Sequence, residues 1–313
     1  MNKTTIVLLN LGGPDSLDAV QPFLENLFND RDIFKLPFQK SLARYISKKR
    51  APKVKKQYEA IGGKSPIGKW TEKQRQMLEN NLRKDNQNID VFVAMRYWHP
   101  LTSEATAKIE NGNYSKIILL PLYPHYSIST TGSSFNEWRR FYKGSVNTVY
   151  VDSYFDNPFY IKAINEKIDK TLINFPEEKR KSVHLVFSAH GTPVSYVKKG
   201  DPYSRHIKRT IDAVMKERDE AYSSCYQSKV GPVKWLKPST ADKIKELAEK
   251  GTKNLLIVPI SFVSDHIETE YELGILYKKI ADEAGIQNYI VMEGLNDSVI
   301  FIEALTDVIK PYL

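Results

Sequence analysis

Cysteine is almost missing from this sequence. Cys225 stands alone among 313 residues, which excludes a disulfide framework, a Cys-based zinc knuckle and a cysteine-held iron–sulfur cluster. Long apolar runs are missing too: no stretch approaches the roughly 18 uninterrupted apolar residues of a membrane span. The opening MNKTTIVLLNLGGPDS is a short apolar run broken by Asn10 and two glycines. It is too short for a secretory h-region and has no cleavage site. The six histidines, His99, His125, His184, His190, His206 and His266, form no HxH, HxxxH or HExxH pattern, so a conventional zinc site is not indicated. LGGP at Leu11–Pro14 has two glycines but no GxGxxG, the nicotinamide fingerprint. GGKS at Gly62–Ser65 resembles the end of a phosphate-binding loop, yet Tyr58 stands where that loop needs its first glycine. Low-complexity segments are absent. What remains is a globular protein of a reducing compartment, with roughly two domains by length. Its 41% hydrophobic and 27% charged residues are ordinary for that class.

The net charge of +9 is unevenly placed. Between Lys35 and Gln74 there are 12 Lys and Arg against two acids, Glu59 and Glu72, so the rest of the chain is close to neutral. Such a block suits nucleic acid, anionic lipid or an acidic small molecule. A solvated pair of helices is the default alternative.

Short apolar runs recur at Ile6–Leu11, Val91–Met95, Ile117–Leu122, Val149–Val151, Val183–Ala189, Leu255–Phe262 and Tyr289–Met292. Most lack polar alternation, as in strands buried on both faces of a parallel sheet. Segments with helical spacing lie between them: Leu17–Asn29, Trp70–Leu82, Thr102–Glu110, Tyr160–Ile173, Ser204–Ala221 and Thr240–Glu249. The alternation predicts α/β layering. The chain also repeats itself. Residues 96–131 lie over 234–269 without a gap, placing Pro100 on Pro238, Thr102 on Thr240 and Pro121 on Pro259. At another offset NLGGPDS resembles AHGTPVS, with Leu11 on His190 and Gly12 on Gly191. The repeat predicts two similar doubly wound domains, 1–150 and 151–295, with a C-terminal helix in 296–313 packing back on the first.

Ligands of such sheets bind beyond the carboxyl ends of the strands. That makes Asn10 to Gly12, Arg96, Tyr123, Pro124, Ser188 to His190 and 261–268 the candidate residues. His190 closes a buried run, where a polar residue has little packing reason to be; a histidine bonded to loop backbone is the even alternative. In SFVSDHIETEYELG, Glu268 and Glu272 share a helix face, a repulsive pair that hints at a cation or proton role. Asp265 as N-cap with Glu268 makes a capping box the preferred local reading. The cluster ahead of the helix in YPHYSISTTGSSFNEWRR suits either a phosphate cradle or an N-cap, and Arg139 and Arg140 follow.

The segments NLGGPDSLDAVQPFLENLFNDRDIFKLP, YEAIGGKSPIGKWTEKQ, RYWHPLTSEA, YPHYSISTTGSS, FSAHGTPVSYVKKGDPY, CYQSKVGPVKWLKPST and PISFVSDHIETEYELG together resemble the ferrochelatase family, in order and over nearly the whole chain. The resemblance implies two Rossmann-like domains around a porphyrin cleft. It implies insertion of ferrous iron, a substrate, into protoporphyrin IX as the last step of protohaem synthesis. His190 matches the histidine facing the pyrrole nitrogens, and Glu268 the carboxylate opposite it; both are implied as catalytic and as meeting the metal. His266, Glu272 and Asp265 match neighbours along an acidic proton path. Leu11, Tyr123 and Trp138 are expected to pack on the ring, and Arg96, Arg140, Ser127 and Ser133 to meet its propionates. With one cysteine, no iron–sulfur centre and no other resident cofactor is expected. Leu11, where coproporphyrin-specific relatives tend to have Tyr, points to protoporphyrin. A chelatase for coproporphyrin or cobalt and a non-catalytic porphyrin carrier are the rivals. Nucleic acid is not an expected partner. The expected location is the cytoplasm, with transient contact between the basic block and an anionic membrane.

Overall fold

The computed structural model describes residues 3–229, 231 and 233–313; Val230 and Pro232, within CYQSKVGPVKWLKPST, lie outside them. The chain divides into two compact units, Met1–Tyr154 with Asn296–Leu313, and Phe155–Leu295.

The first unit is built on β1 (Lys3–Asn10), β2 (Ile89–Met95), β3 (Tyr114–Pro121) and β4 (Asn147–Tyr150), all parallel in the order β2-β1-β3-β4. Its helices are α1 (Val20–Asn29), α2 (Gln39–Glu59), α3 (Ile67–Leu82), α4 (Thr102–Glu110) and α5 (Ser133–Phe141). The second unit carries α6 (Pro158–Leu172), β5 (Val183–His190), α7 (Val194–Lys198), α8 (Tyr203–Val214), β6 (Tyr222–Gln227), α9 (Thr240–Glu249), β7 (Asn254–Val258), α10 (Lys278–Glu283) and β8 (Asn288–Val291). Its strands are parallel in the order β6-β5-β7-β8. α11 (Val299–Ile309) returns to the first unit and packs on α3, where Asn81 Nδ2 donates to Thr306 Oγ1 at 3.0 Å and Gln74 Nε2 to the Asn296 carbonyl at 2.8 Å. Parallel pairing needs crossover helices, and those helices cover both sheet faces. This is why Ile6 to Leu9 and Leu185 to Phe187 are all buried without alternation.

The repeat is visible in the hydrogen bonds. Leu122 N donates to Leu9 O at 2.8 Å, and Ile260 N to Ser188 O at 3.1 Å. Met95 N donates to Pro100 O at 2.8 Å, and Tyr226 N to Pro238 O at 2.9 Å. Leu11 and His190 therefore hold equivalent places. The gap-free match ahead of the two prolines does not hold: five positions separate Met95 from Pro100, but twelve separate Tyr226 from Pro238. The structural counterpart of Arg96 is Gln227, not Lys234.

Other expectations shift for local reasons. β6 reads YSSCYQ, in which Ser223, Ser224 and Gln227 leave no apolar run. α8 stops at Val214 rather than running to Ala221; the Arg218 guanidinium beyond it pairs with Glu220 and Asp169. The basic block forms α2 and the start of α3. α2 buries Ala43, Ser47 and Ala51 at four-residue spacing, packs them on α1, and leaves most of its lysines in solvent. GGKS is the stop of that helix: Gly63, at φ +84°, sends its N–H to Tyr58 O at 2.7 Å. Ser65 then lies against Gly13, where a Cβ would fall 2.6 Å from the Ser65 hydroxyl. The two glycine motifs thus meet each other rather than a phosphate.

Candidate functional site

β5 delivers His190 to the carboxyl edge of the second sheet, and its backbone is fixed on both sides. His190 N donates to Ser261 Oγ at 2.9 Å, and Tyr203 Oη donates to His190 O at 3.1 Å. Gly191 follows because nothing larger fits: a Cβ there would lie 2.7 Å from the Gln227 carbonyl. The imidazole is half-buried, and its Nδ1 lies 2.8 Å from Glu268 Oε2. The family resemblance implies Glu268 opposite His190; in the structure the two are in direct contact.

Glu268 opens a π-helical segment, Glu268–Tyr277. The expected capping box is not formed. Ile267 holds the N-cap position without a side-chain cap, and Asp265 Oδ1 instead accepts from Gly294 N at 3.0 Å. π-helical winding is rare and concentrates at functional sites. Within it one hydroxyl reaches both Glu268 and Glu272: Ser228 Oγ lies 2.7 Å from Glu268 Oε2 and 2.6 Å from Glu272 Oε2. His266 is anchored by Thr269, which bonds its N–H and carbonyl at 3.0 Å each, and by Phe262, whose ring meets it at 4.3 Å. Its Nδ1 donates to Ser264 O at 3.2 Å, which leaves Nε2 facing Glu268 Oε1 at 4.0 Å.

The electrostatics push neighbouring groups apart. Burial disfavours a charged His190, but the Glu268 carboxylate outweighs it and holds the imidazole above the usual histidine range. Burial, the largest single effect, would raise Glu268; the charge and hydrogen bond of His190, with His266 and Ser228, together hold it at about 2. Burial and the Glu268 charge lift Glu272 to about 7. Burial lowers His266 in spite of Glu268 and Asp265. One strong acid, one raised acid, one raised base and one lowered base sit within one cluster, the arrangement expected of a proton-handling site. Among the described residues no three His, Cys, Asp or Glu side chains are grouped to hold a metal ion.

The equivalent edge of the first unit is built differently. Arg96, just past β2, turns inward and is only 7% exposed. Its Nη2 meets Asp30 Oδ2 at 2.7 Å, its Nη1 meets Glu137 Oε1 at 2.9 Å, and its Nε donates to Ser133 Oγ at 2.9 Å. Tyr97 Oη and Ser133 Oγ also donate to Asp30 Oδ2, at 2.7 and 2.6 Å. Arg140, on the surface, bridges Glu137 and Asp32. Arg96 and Ser133 thus have their polar atoms engaged inside the unit. Trp138 is 1% exposed and stacked on Tyr142 within the core, so no ring face is open to a ligand. Tyr123 and Ser127 are buried, the latter capping a second π-helical segment, Ile128–Gly132. Leu11 is partly exposed after Asn10, whose side chain accepts from the Leu11 N–H and donates to Thr71.

Sequence reasoning missed Ser228 and Asp30. Ser228 follows β6, the strand without an apolar run, so it never entered the set of residues beyond strand ends. Asp30 follows a helix, where an acid carries no signal.

Comparison with known proteins closes the question of family. The Ferrochelatase family profile matches residues 3–313. The chain is 49% identical to the ferrochelatase of Citrifermentans bemidjiense, over 99% of this chain and 98% of that one. It is 44% identical to that of Gloeobacter violaceus, over 99% and 97%. Among solved structures it resembles SirB from Bacillus subtilis, solved with Fe3+, at TM-score 0.55 and 11% identity, covering 98% of this chain and 94% of that one. A multi-domain Deinococcus radiodurans protein with structural similarity to chelatases aligns at TM-score 0.57 and 12% identity, with 98% of this chain covering 55% of that one. These structural likenesses support the fold, and the full-length sequence matches show that the chain belongs to the ferrochelatase family.

Proposed function

We propose that the protein inserts ferrous iron into protoporphyrin IX, with His190 as the group that takes a pyrrole proton. The observation that carries this is the 2.8 Å contact between His190 Nδ1 and Glu268 Oε2. A carboxylate only accepts, so Nδ1 carries the proton and Nε2 of the neutral ring presents its lone pair. Glu268 fixes that tautomer and balances the imidazolium as it forms. Iron(II) and the porphyrin free base give iron porphyrin and two protons, and both protons must leave. Glu272, lifted to about 7, is suited to hold and release a proton near neutrality. Carboxylate and imidazole donors also suit a ferrous ion in transit. The reaction so written needs no resident cofactor and no iron–sulfur centre.

Leu11, Tyr123, Ser127 and Arg140 are carried forward as porphyrin contacts. Arg96 and Ser133 then act by holding the first unit's edge rather than by reaching a propionate. We place the enzyme in the cytoplasm, with α2 touching anionic membrane. Phe38, 89% exposed, and Tyr45, 59% exposed, stand among its lysines and support that contact. No described helix is long and apolar enough to cross a membrane.

The test is an anaerobic assay of the purified protein with ferrous iron and either protoporphyrin or coproporphyrin. Iron protoporphyrin should form faster. Preference for coproporphyrin would overturn the substrate, and insertion into neither would overturn the reaction.

A further inference from the structure

Ser228 is the point where the acid pair and the sheet edge meet. Its backbone takes φ +57°, a left-handed conformation that non-glycine residues adopt at a cost. The conformation aims the hydroxyl between Glu268 and Glu272, 2.7 and 2.6 Å away. Around it the loop after β6 holds the π-helical segment at both ends. Gln227 Nε2 lies 3.4 Å from Glu268 Oε2 and from its carbonyl, and Tyr277, the last residue of the segment, hydrogen-bonds the Ser228 backbone. The loop is brought in by Gly191, whose N–H donates to Gln227 O at 2.7 Å and whose missing Cβ admits both the Gln227 and Ser228 carbonyls. Two carboxylates on one helix face repel. Without a group between them they would part, and Glu268 would lose its alignment on His190.

We propose that Ser228 is a positioning residue, whose hydroxyl ties Glu268 and Glu272 into one unit and holds Glu268 against His190. This rests on the proposed iron insertion and adds a residue to it. A hydroxyl has one proton and two lone pairs, so it can give its proton to the Glu268 carboxylate and receive one from Glu272 when that acid is protonated. It therefore joins the two acids without adding fixed charge, which a lysine or arginine in its place could not do.

Two full-chain variants separate positioning from a merely structural role. Ser228→Gly removes the hydroxyl and relieves the left-handed backbone, so the fold should be at least as stable. Ser228→Thr keeps the hydroxyl but places a β-branched residue at positive φ, which costs stability. We expect kcat for ferrous insertion to fall about tenfold or more in Ser228→Gly, with porphyrin affinity, read by fluorescence quenching, and Tm retained. Ser228→Thr should keep kcat within about threefold despite a lower Tm. Turnover and stability would then rank the variants in opposite orders. Wild-type kcat in Ser228→Gly, or a parallel loss in both variants, would overturn the proposal. If the wild-type protein inserts no iron, the proposed function fails separately. Ser228 is then judged by amide hydrogen exchange at Glu268 to Glu272, which Ser228→Gly should accelerate and Ser228→Thr should not; equal exchange in all three proteins would overturn it.

Discussion

The carboxyl edges of the two units start from the same scaffold and end in opposite chemistry. Strand order, the backbone bonds that follow the strands and a π-helical segment after the third chain-order strand recur in both. In the first unit the buried and edge acids, Asp30, Glu137 and Asp32, are matched by Arg96 and Arg140. A guanidinium does not give up its proton in a protein, so those charges are fixed. Burial works against the Asp30 charge, but Arg96 and the hydrogen bonds from Ser133, Tyr97 and the Asp32 N–H together hold the carboxyl below its usual range. In the second unit Glu268 and Glu272 face His190 and His266, and an imidazole does exchange its proton near neutral pH. Leu11 stands where His190 stands. The first edge thus pairs its acids with arginines, and the second pairs them with histidines.

The largest expected effect comes from breaking the second edge. Glu268→Gln keeps the shape but removes the charge that supports His190, and iron insertion should fall about 100-fold or more, with porphyrin binding retained. Near-normal turnover would detach the carboxylate from the chemistry. The first edge should respond in stability instead. Asp30→Ala leaves the Arg96 guanidinium buried with a lost partner, at a cost of about 3–5 kcal/mol, read by urea unfolding. A stable variant that has lost turnover would break the contrast between the units.

The third expectation concerns pH. The chain has six histidines, few enough to resolve by NMR of labelled imidazoles. His190 should titrate above 6.5 and His266 below it. The signs follow from the shifts. Glu268, lowered from 4.5 to about 2, contributes stability that is complete above 4.5 and fades as pH falls toward 2. His190, raised from 6.5, contributes below 6.5 and fades as pH rises through its folded value. With His190 as the proposed proton acceptor, turnover should rise with pH through that same value. In Glu268→Gln the His190 titration should move down; an unmoved titration would deny the coupling. The smallest effect belongs to α2. Reversing Lys48, Lys49 and Lys53, all exposed, should weaken binding to anionic liposomes several-fold and leave turnover on soluble porphyrin unchanged. Unchanged liposome binding would make the block a solvated face.

Much of this was legible before any coordinates. Strands of parallel sheets write themselves as short apolar runs, and seven of the eight described strands appear that way. β6 did not, because Ser223, Ser224 and Gln227 break it, and Ser228 was hidden with it. The repeat placed Leu11 over His190 correctly, since strand and turn are short-range patterns. It misplaced Arg96, because a longer loop in the second unit shifts register without a local signal. Glu268 read locally as half of a capping box; only the π-helical winding and the turn of Asp265 toward Gly294 show otherwise. Arg96 read as a ligand contact from its place after a strand and Trp138 from the family resemblance, and their burial beside Asp30 and Tyr142 is something spacing does not reveal.

The most direct measurement is ferrous insertion by His190→Ala beside its porphyrin affinity. The account predicts that turnover falls by about 10³-fold while protoporphyrin still binds within about twofold of wild type. Retained turnover with intact binding would contradict it and remove the second unit's histidine from the reaction.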